Sequence, residues 1–571
     1  MGPQSILSLL LLASGVLAAP PQRPLDCHHL PGDREWPSRR DWARLNATVH
    51  GRLIGGQPLG QVCYGEGADE TLCADIQARW SFPSLYFPDP VNVMSPYWLN
   101  NTCSPFLADT EDCTQGNLAS YAINVTDAKD IAAGLKFAQK HNIRVQAKNT
   151  GHDYLGRSTG QGSLALWTHN LKGIEFLNYT SPGYTGAAVK LGAGIQAFEA
   201  YAAAEKNGLR IVGGYCPTVG IAGGYIQGGG HGPLLGTYGL AADNTLEFEV
   251  VTVDGKHLVV SPTKHSDLFW ALNGGGAGNY AIIVSHTTKA HRDGKVAGAS
   301  LSLEHNGDDE KFWGVVEAWH RQLLVLDTIP GVTTVYRVTN SSFGLSQGTF
   351  TGHSAADLQS VLDPFLGEVR KLGFNYTYEV NEKPSYGGHL AAYTPNPPYG
   401  SYLNNETIGG RLVPRQAVKN DVKSVVQLIR DIVSSPAGPS VNGVAGNVSH
   451  TRTGTKPGFN AVHPAWRDAL YHLIIEGWFN EVGPVDVWQQ VQEDMNSYQN
   501  ILRNGLPAGG VYINEGTFDN PAWKSDYFGV NYERLLKIKK RYDPRFVLYG
   551  PAAVGSDIWI KQADGRLCKK K

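Results

Sequence analysis

The 571-residue chain has almost no net charge, with 49 basic residues against 51 acidic ones. No basic run interleaves with aromatics, so nothing in the sequence provides an electrostatic basis for holding nucleic acid. The Cys568-Lys569-Lys570-Lys571 tail is too short for a binding arm. Long apolar runs are missing as well. The longest, residues 6–16, falls short of the about 20 residues that span a bilayer, so no membrane anchor is expected. Cysteine is scarce: there are seven, and none has the close spacing of a zinc ligand set, so no metal is expected. No internal repeat and no low-complexity region is visible. The length leaves room for two or three domains with ample core.

What the first residues do carry is an apolar core at 6–16 followed by Val16-Leu17-Ala18 before Ala19, without an early Lys or Arg. This pattern predicts a secretory signal peptide over residues 1–19 and a soluble, exported mature chain. Eight Asn-x-Ser/Thr sequons agree with that route, at Asn46, Asn100, Asn124, Asn178, Asn340, Asn375, Asn405 and Asn447.

Glycine is densest over residues 213–243, where few charges intervene. Glycine reaches positive φ and lets main chain come within contact of a flat ring or a diphosphate. The run has no Gly-Lys-Ser/Thr ending. It also does not open a helix after a strand, so neither common phosphate-loop pattern fits. Its motifs are Cys216-Pro217-Thr218-Val219-Gly220, Gly223-Gly224, Gly228-Gly229-Gly230, Gly232 and Tyr238-Gly239-Leu240-Ala241-Ala242-Asp243. With Gly151-His152-Asp153-Tyr154-Leu155-Gly156-Arg157-Ser158 upstream, the chain resembles the berberine-bridge-enzyme-like flavin oxidases of the vanillyl-alcohol-oxidase superfamily.

The resemblance implies FAD bonded twice, through Cys216 to the flavin C6 and through His152 to the 8α-methyl. It also implies flavin contacts from Asn149, Thr150, Gly151, Asp153, Tyr154 and Ser158, with the backbone of residues 149–154 around the diphosphate. Pro217, Thr218, Val219, Gly220, Gly223, Gly224, Gly228, Gly239 and Asp243 extend that set. Gly278, Asn279 and Ile282 match the closing flavin segment, and Asn514 and Asn531 the returning C-terminal segment. After Asp543-Pro544 the family's Asn-x-Phe is replaced by Arg545-Phe546-Val547, which puts that contact in doubt. Assigning Cys216 to the flavin leaves six cysteines, and the economical pairs are Cys63 with Cys73, Cys103 with Cys113, and Cys27 with Cys568.

The expected fold is α+β: a PCMH-type FAD-binding domain and a second α+β substrate domain with an antiparallel sheet covered by helices. The expected boundaries are a disulfide-bearing segment at 20–114, the FAD domain at 115–300, the substrate domain at 301–505 and a returning segment at 506–571. Alternation at 120–125 predicts a strand, with Thr126 as N-cap of a helix ending near Asn142. Strands at 144–147 and 187–191, a helix at 195–207 and a hairpin over 246–261 follow. In the second domain, helices are expected at 310–326, 355–372, 417–433 and 485–502, with strands at 333–338 and 348–351. The pocket belongs between the domains.

A flavin carries the hydride chemistry, so the protein must supply a proton acceptor within about 3 Å of the substrate. Tyr512 and His231 are the candidates, Tyr512 from the Tyr-x-Asn element and His231 from Gly230-His231-Gly232. A stacked structural tyrosine and a loop histidine satisfied by main chain are the plain alternatives. If the strand through Tyr512 continues, Glu515 faces the opposite side. The glutamate-bearing strand of plant family members is not recognisable. His463 before Pro464 is a candidate pocket residue, but a plain helix start explains the stretch without catalysis. The Pro- and Tyr-rich loop at 393–400 is a sugar platform or a surface turn.

The chain therefore reads as a secreted, monomeric FAD oxidase of a small molecule using O2. An extracellular carbohydrate oxidase, a dehydrogenase with another acceptor and a flavin-carrying binding protein remain as alternatives. Denatured wild-type protein should keep its flavin; Cys216→Ala and His152→Ala should each leave one link, and the double variant should release FAD. Intact-mass measurement without a flavin adduct on the wild type would refute the double tether.

Overall fold

The computed structural model describes residues 26–570 except 100, 109, 111, 403 and 404. The expected leader at 1–19 and the sequon at Asn100 lie outside the described residues. The chain divides its hydrophobic residues between two large cores, one under the first half and the C-terminal segment, the other under residues 297–506.

The first core supports two sheets. In the smaller, Leu53–Gly55 pairs antiparallel with Tyr121–Asn124, followed by parallel Leu164–Trp167 and Val145–Lys148. The helix Ala128–Lys140 packs on it through Ile131, Leu135 and Ala138, the periodic face expected of it. Its N-cap is Asp127, one residue beyond the expected Thr126. The Asp127 carboxylate accepts from the N–H groups of Lys129 and Asp130, while Thr126 is drawn off to donate to Asp130. A carboxylate at the positive end of the helix is the better cap. The second sheet is antiparallel, ordered Ile174–Ser181, Tyr184–Gly192, Ile282–Lys289, Thr245–Val251 and His257–Val260. Its last two strands form the expected hairpin.

The second core lies under a seven-stranded antiparallel sheet, ordered Thr377–Lys383, Val296–Glu304, Ser342–Thr351, Val332–Val338, Ser440–Ala445, Ala469–Trp478 and Glu406–Pro414. Helices Asp309–Leu326, Ala355–Lys371, Val422–Val433 and Val485–Gly505 cover one face. The α+β expectation is met, with helices near their expected places. The helix expected at 417–433 is broken: Asp421 leaves helical φ/ψ (φ −154°) and caps Val422–Val433 by accepting from Ser424 N. Five of the seven strands were not expected, and two show why. Ser440–Ala445 and Glu406–Pro414 are buried nearly throughout and carry glycines in place of an alternating pattern. A Cβ at Gly443 would stand 2.1 Å from the Tyr336 ring, and one at Gly410 would stand 2.4 Å from Leu473 O.

The glycine-rich run is more helical than expected, with turns at Ile221–Tyr225, Leu235–Tyr238 and Ala241–Asn244. Several of its glycines serve packing: a Cβ at Gly232 would meet Gly213 O at 1.8 Å, and one at Gly236 would meet Val332 O at 1.8 Å. The latter contact seats the run against the second domain. The disulfides are Cys27–Cys568, Cys63–Cys73 and Cys103–Cys113, the pairs expected.

The tightest polar tie between the two domains is Asp243, 2% exposed. Its carboxylate accepts from Arg467 Nη2 at 2.7 Å and Nη1 at 2.9 Å, from Asn460 Nδ2 at 2.9 Å and from Leu240 N at 3.0 Å. Removing one partner of such a pair leaves a buried charge unmatched. Asp243→Ala should therefore cost about 3 to 5 kcal/mol in denaturant unfolding, and a loss below about 1 kcal/mol would show that the clasp carries no stability.

Candidate functional site

Between the flavin-type half and the free face of the seven-stranded sheet lies a cavity of about 450 Å³. The loop after Val145–Lys148 supplies one wall, and it folds around Asp153. The carboxylate of Asp153 accepts from the N–H groups of Leu155, Arg157 and Ser158 and from Ser158 Oγ. This loop brings Asn149, Thr150, Gly151, His152, Tyr154 and Ser158 to the cavity. The N–H groups of residues 155, 157 and 158 are thus spent on Asp153, so any main-chain anion cradle here is confined to the turn before it.

The glycine-rich run supplies the floor through Cys216, Val219, Gly220, Gly223 and Gly224, and Gly278 and Ile282 continue it. A Cβ at Gly220 would stand 2.1 Å from Asn149 Nδ2, so only glycine lets this main chain lie against the first wall. His152 Nε2 is 2.8 Å from Thr218 Oγ1, which leaves Nδ1 as the free ring nitrogen. Burial pushes His152 down to about 3, so it is a neutral imidazole. Cys216 is the one free cysteine and is exposed to the cavity; enclosure, then Glu515 and Glu406, push its thiol up to about 12.

Other expected residues stand outside the lining. Pro217 and Gly228 are packed behind it, against Gly400 and the Asn514 side chain. Gly239 lies against the Asp243 carboxylate, itself spent on Arg467. Asn279 donates to Val554 O, and Asn531 to Ala461 O and Val462 O, so both brace main chain. Arg545 turns away to Gln139. His463 caps the turn Pro464–Arg467, accepting from Ala465 N, with Nε2 on Ser525 O, which is the helix-start reading. The 393–400 loop packs Tyr399 against Phe87 and Phe198, making it a cover beside Pro217.

Tyr512 and Asn514 form the end wall, Asn514 Nδ2 donating to Tyr512 Oη at 2.9 Å. His231 stands edge-on to the Tyr512 ring, centroids 4.9 Å apart, and its Nε2 is 2.9 Å from Glu515 Oε1. The expectation for Glu515 is overturned. Ile513–Glu515 is a 3₁₀ turn and no strand, so the alternation argument fails and Glu515 joins the cavity beside Tyr512. His472, from Ala469–Trp478, backs it with Nδ1 3.2 Å from Glu515 Oε2. Against the cost of burial, His231 and His472 hold the Glu515 carboxyl well below the usual range.

The roof supplies groups that the sequence reading missed. Ile408, Val444, Val335 and Ile474 make an apolar belt. Glu476 accepts from Ser440 Oγ at 2.8 Å, with Arg337 at 3.5 Å. Glu406, the first residue of its strand, accepts from Tyr154 Oη at 2.7 Å. Alternation does not reveal them, because their strands are buried on both faces and read as mixed runs. Arg157 was also missed, though it sits in a quoted motif. Its Nε and Nη2 donate to Pro551 O and Ala552 O, and its Nη1 is buried without a partner.

The residues fit a flavin dinucleotide. Buried Asn149 Oδ1, Gln227 Oε1 and Arg157 Nη1 all line the cavity with no protein partner. Such orphaned groups are costly unless a ligand satisfies them. An acceptor-rich diphosphate suits the arginine, and the edge of an isoalloxazine ring suits the carboxamides.

Comparison with known proteins agrees. Residues 119–261 match the FAD binding domain family and residues 511–554 the berberine and berberine-like family. The chain is 41% identical to a VAO-type flavoprotein oxidase of Thermothelomyces thermophilus, over 99% of this chain and 100% of that one. It is 37% identical to a bifunctional decalin synthase of Penicillium decumbens, over 99% of each. The crystal structure of a VAO-type flavoprotein from Myceliophthora thermophila C1 superposes with a TM-score of 0.90 at 41% identity, over 95% of this chain and 100% of that one.

Burial, and then Glu476, push Glu406 up to about 8, whereas an unfolded glutamate titrates near about 4.3. The native state thus holds an extra proton between these values. The stability this gives is complete below the unfolded value and lost as pH rises through about 8. The unfolding free energy of the wild type should therefore fall relative to that of Glu406→Gln from about pH 5 to about pH 9, by an amount on the order of a few kcal/mol. A pH-independent difference would refute the assignment.

Proposed function

Because the chain belongs to the VAO-type, berberine-bridge-enzyme-like family of FAD-linked oxidoreductases, we propose that it is an exported oxidase of a small organic molecule. Its substrate is an alcohol, an amine or a natural-product intermediate, and O2 is the final electron acceptor, reduced to H2O2. The observation that carries this reading is that His152 and Cys216, distant in sequence, line one cavity with the His231–Glu515–Tyr512 wall.

FAD supplies the hydride acceptor when bound. His152 Nδ1, left free by the Thr218 contact, and Cys216 Sγ would tether the ring. Arg157 Nη1, buried without a partner, would hold the diphosphate together with the N–H groups of Thr150, Gly151 and His152. The belt of Ile408, Val444 and Ile474 presses the apolar body of the substrate onto the ring and excludes water. His231, backed by Glu515, is the group toward which the departing proton is lost, with Tyr512 edge-on beside it. A raised Tyr512 phenol, buried and close to Glu515, stays protonated and donates.

Export through the secretory route is part of this reading. It is supported by the three disulfides and by exposed sequon residues Asn178, Asn340 and Asn375. Among the described residues no helix is long and apolar enough to cross a membrane.

Anaerobic mixing with a panel of alcohols and amines should bleach the oxidised flavin band, and readmitted air should restore it with one H2O2 per turnover. Bleaching without peroxide would replace the oxidase by a dehydrogenase, and no bleaching with any compound would favour a flavin-binding protein. Val219 faces the cavity floor beside Cys216. Val219→Leu adds one methylene where O2 must reach the reduced ring, so reoxidation should slow by roughly tenfold while anaerobic reduction stays near wild type. Equal reoxidation rates would show that Val219 is not the gate.

A further inference from the structure

His231, His472 and Glu515 come from three separate elements and converge at the cavity's end wall, with one donor atom of each lying within 4.8 Å of the others. Glu515 Oε1 is 2.9 Å from His231 Nε2, and Glu515 Oε2 is 3.2 Å from His472 Nδ1. Donor atoms bound to a tetrahedral zinc at about 2.0 to 2.2 Å stand roughly 3.3 Å apart, so the pairs around Glu515 are already near that spacing.

The second observation is what the cluster leaves unsatisfied. His472 is 0% exposed, and neither of its ring nitrogens has a hydrogen-bond partner. Its Nδ1 has Glu515 Oε2 at 3.2 Å as a charged neighbour without a formed hydrogen bond. A buried imidazole whose Nε2 is idle and whose Nδ1 is only loosely met is costly unless a ligand completes it. Proton sharing within the trio satisfies Oε1 and leaves the Oε2 side open. A cation between the three donors satisfies both.

We propose that His231, His472 and Glu515 bind one divalent transition-metal ion of the zinc class. Two imidazoles and a carboxylate disfavour calcium and magnesium, which take oxygen-only shells. Three protein ligands are also the number found in zinc sites that keep a position for substrate. Here that position opens to the cavity, because His231 and Glu515 line it while His472 closes the rear. Resting on the oxidase reading for what fills it, the open position takes a hydroxyl oxygen of an alcohol substrate. The end wall then acts by polarising that hydroxyl.

Metal binding is measurable whether or not a substrate is found. Purified flavinylated protein, stripped with a chelator and titrated with Zn(II), should bind one equivalent with micromolar or tighter affinity and gain several degrees in Tm. Glu515→Gln and His472→Gln should each weaken binding at least tenfold while keeping their flavin spectrum. Crystals soaked in Zn(II) should show an anomalous peak between the three side chains, a readout that does not depend on how the variants fold. No binding by the wild type, equal binding by the variants, or a peak elsewhere would overturn the site while leaving the oxidase reading intact. Loss of substrate bleaching with a bound zinc would instead count against the oxidase.

Discussion

The molecule depends on main chain approaching main chain and side chain at distances that no Cβ permits. Gly232 against Gly213, Gly236 against Val332 and Gly220 against Asn149 fix the glycine-rich run at three places. The first contact folds the run back on itself, the second docks it to the seven-stranded sheet, and the third seats it on the loop that carries His152. Cys216 and His231 lie on the same run, so these contacts decide where both functional ends of the cavity fall. Glycine loses the most backbone freedom on folding, and the two large cores supply the apolar burial that offsets it.

Around that frame the cavity separates its chemistry by position. The flavin-side walls hold the unpartnered Arg157 Nη1 and two orphaned carboxamide oxygens, suited to a ligand with phosphates and a ring edge that carries an N–H donor. The roof is apolar at its centre, with the Glu476 carboxylate toward one side, Glu406 behind the Tyr154 hydroxyl, and the His231–His472–Glu515 trio at the end wall. Three carboxylates in one enclosed space repel one another, and the structure resolves this unevenly. Glu515 keeps its charge because two histidines face it, while Glu406 keeps its proton because Tyr154 alone does not compensate burial. Environments that push similar groups apart in this way are characteristic of working sites.

The flavin-binding half was legible because its function is carried by short-range signals. The Cys216 motif, the His152 loop and the closing Gly278-Asn279 segment are each contiguous, and most of their residues reach the cavity. The same contiguity misled at Asp243, Asn279 and Asn531, which support the site's frame through main-chain and interdomain bonds and do not face the cavity. In the roof, Glu406–Pro414 and Ala469–Trp478 are buried on both faces and show no alternation to read.

By itself the sequence determined the amphipathic helices and an even set of six cysteines once Cys216 is set aside, which follow from local spacing and parity. The two tether candidates came from the resemblance of its contiguous motifs to a family, and the α+β class from element order together with that resemblance. Only the tertiary structure decided which acid, base and cation-ligand groups meet. Glu515 faces His231 because a 3₁₀ turn replaces the expected strand, and His472 backs Glu515 and Glu406 meets Tyr154 because neighbouring strands at one end of the seven-stranded sheet, assembled from distant segments, carry them there. Side-chain convergence across more than 200 residues depends on strand order and register, and neither is encoded in the spacing of residues along one stretch of chain.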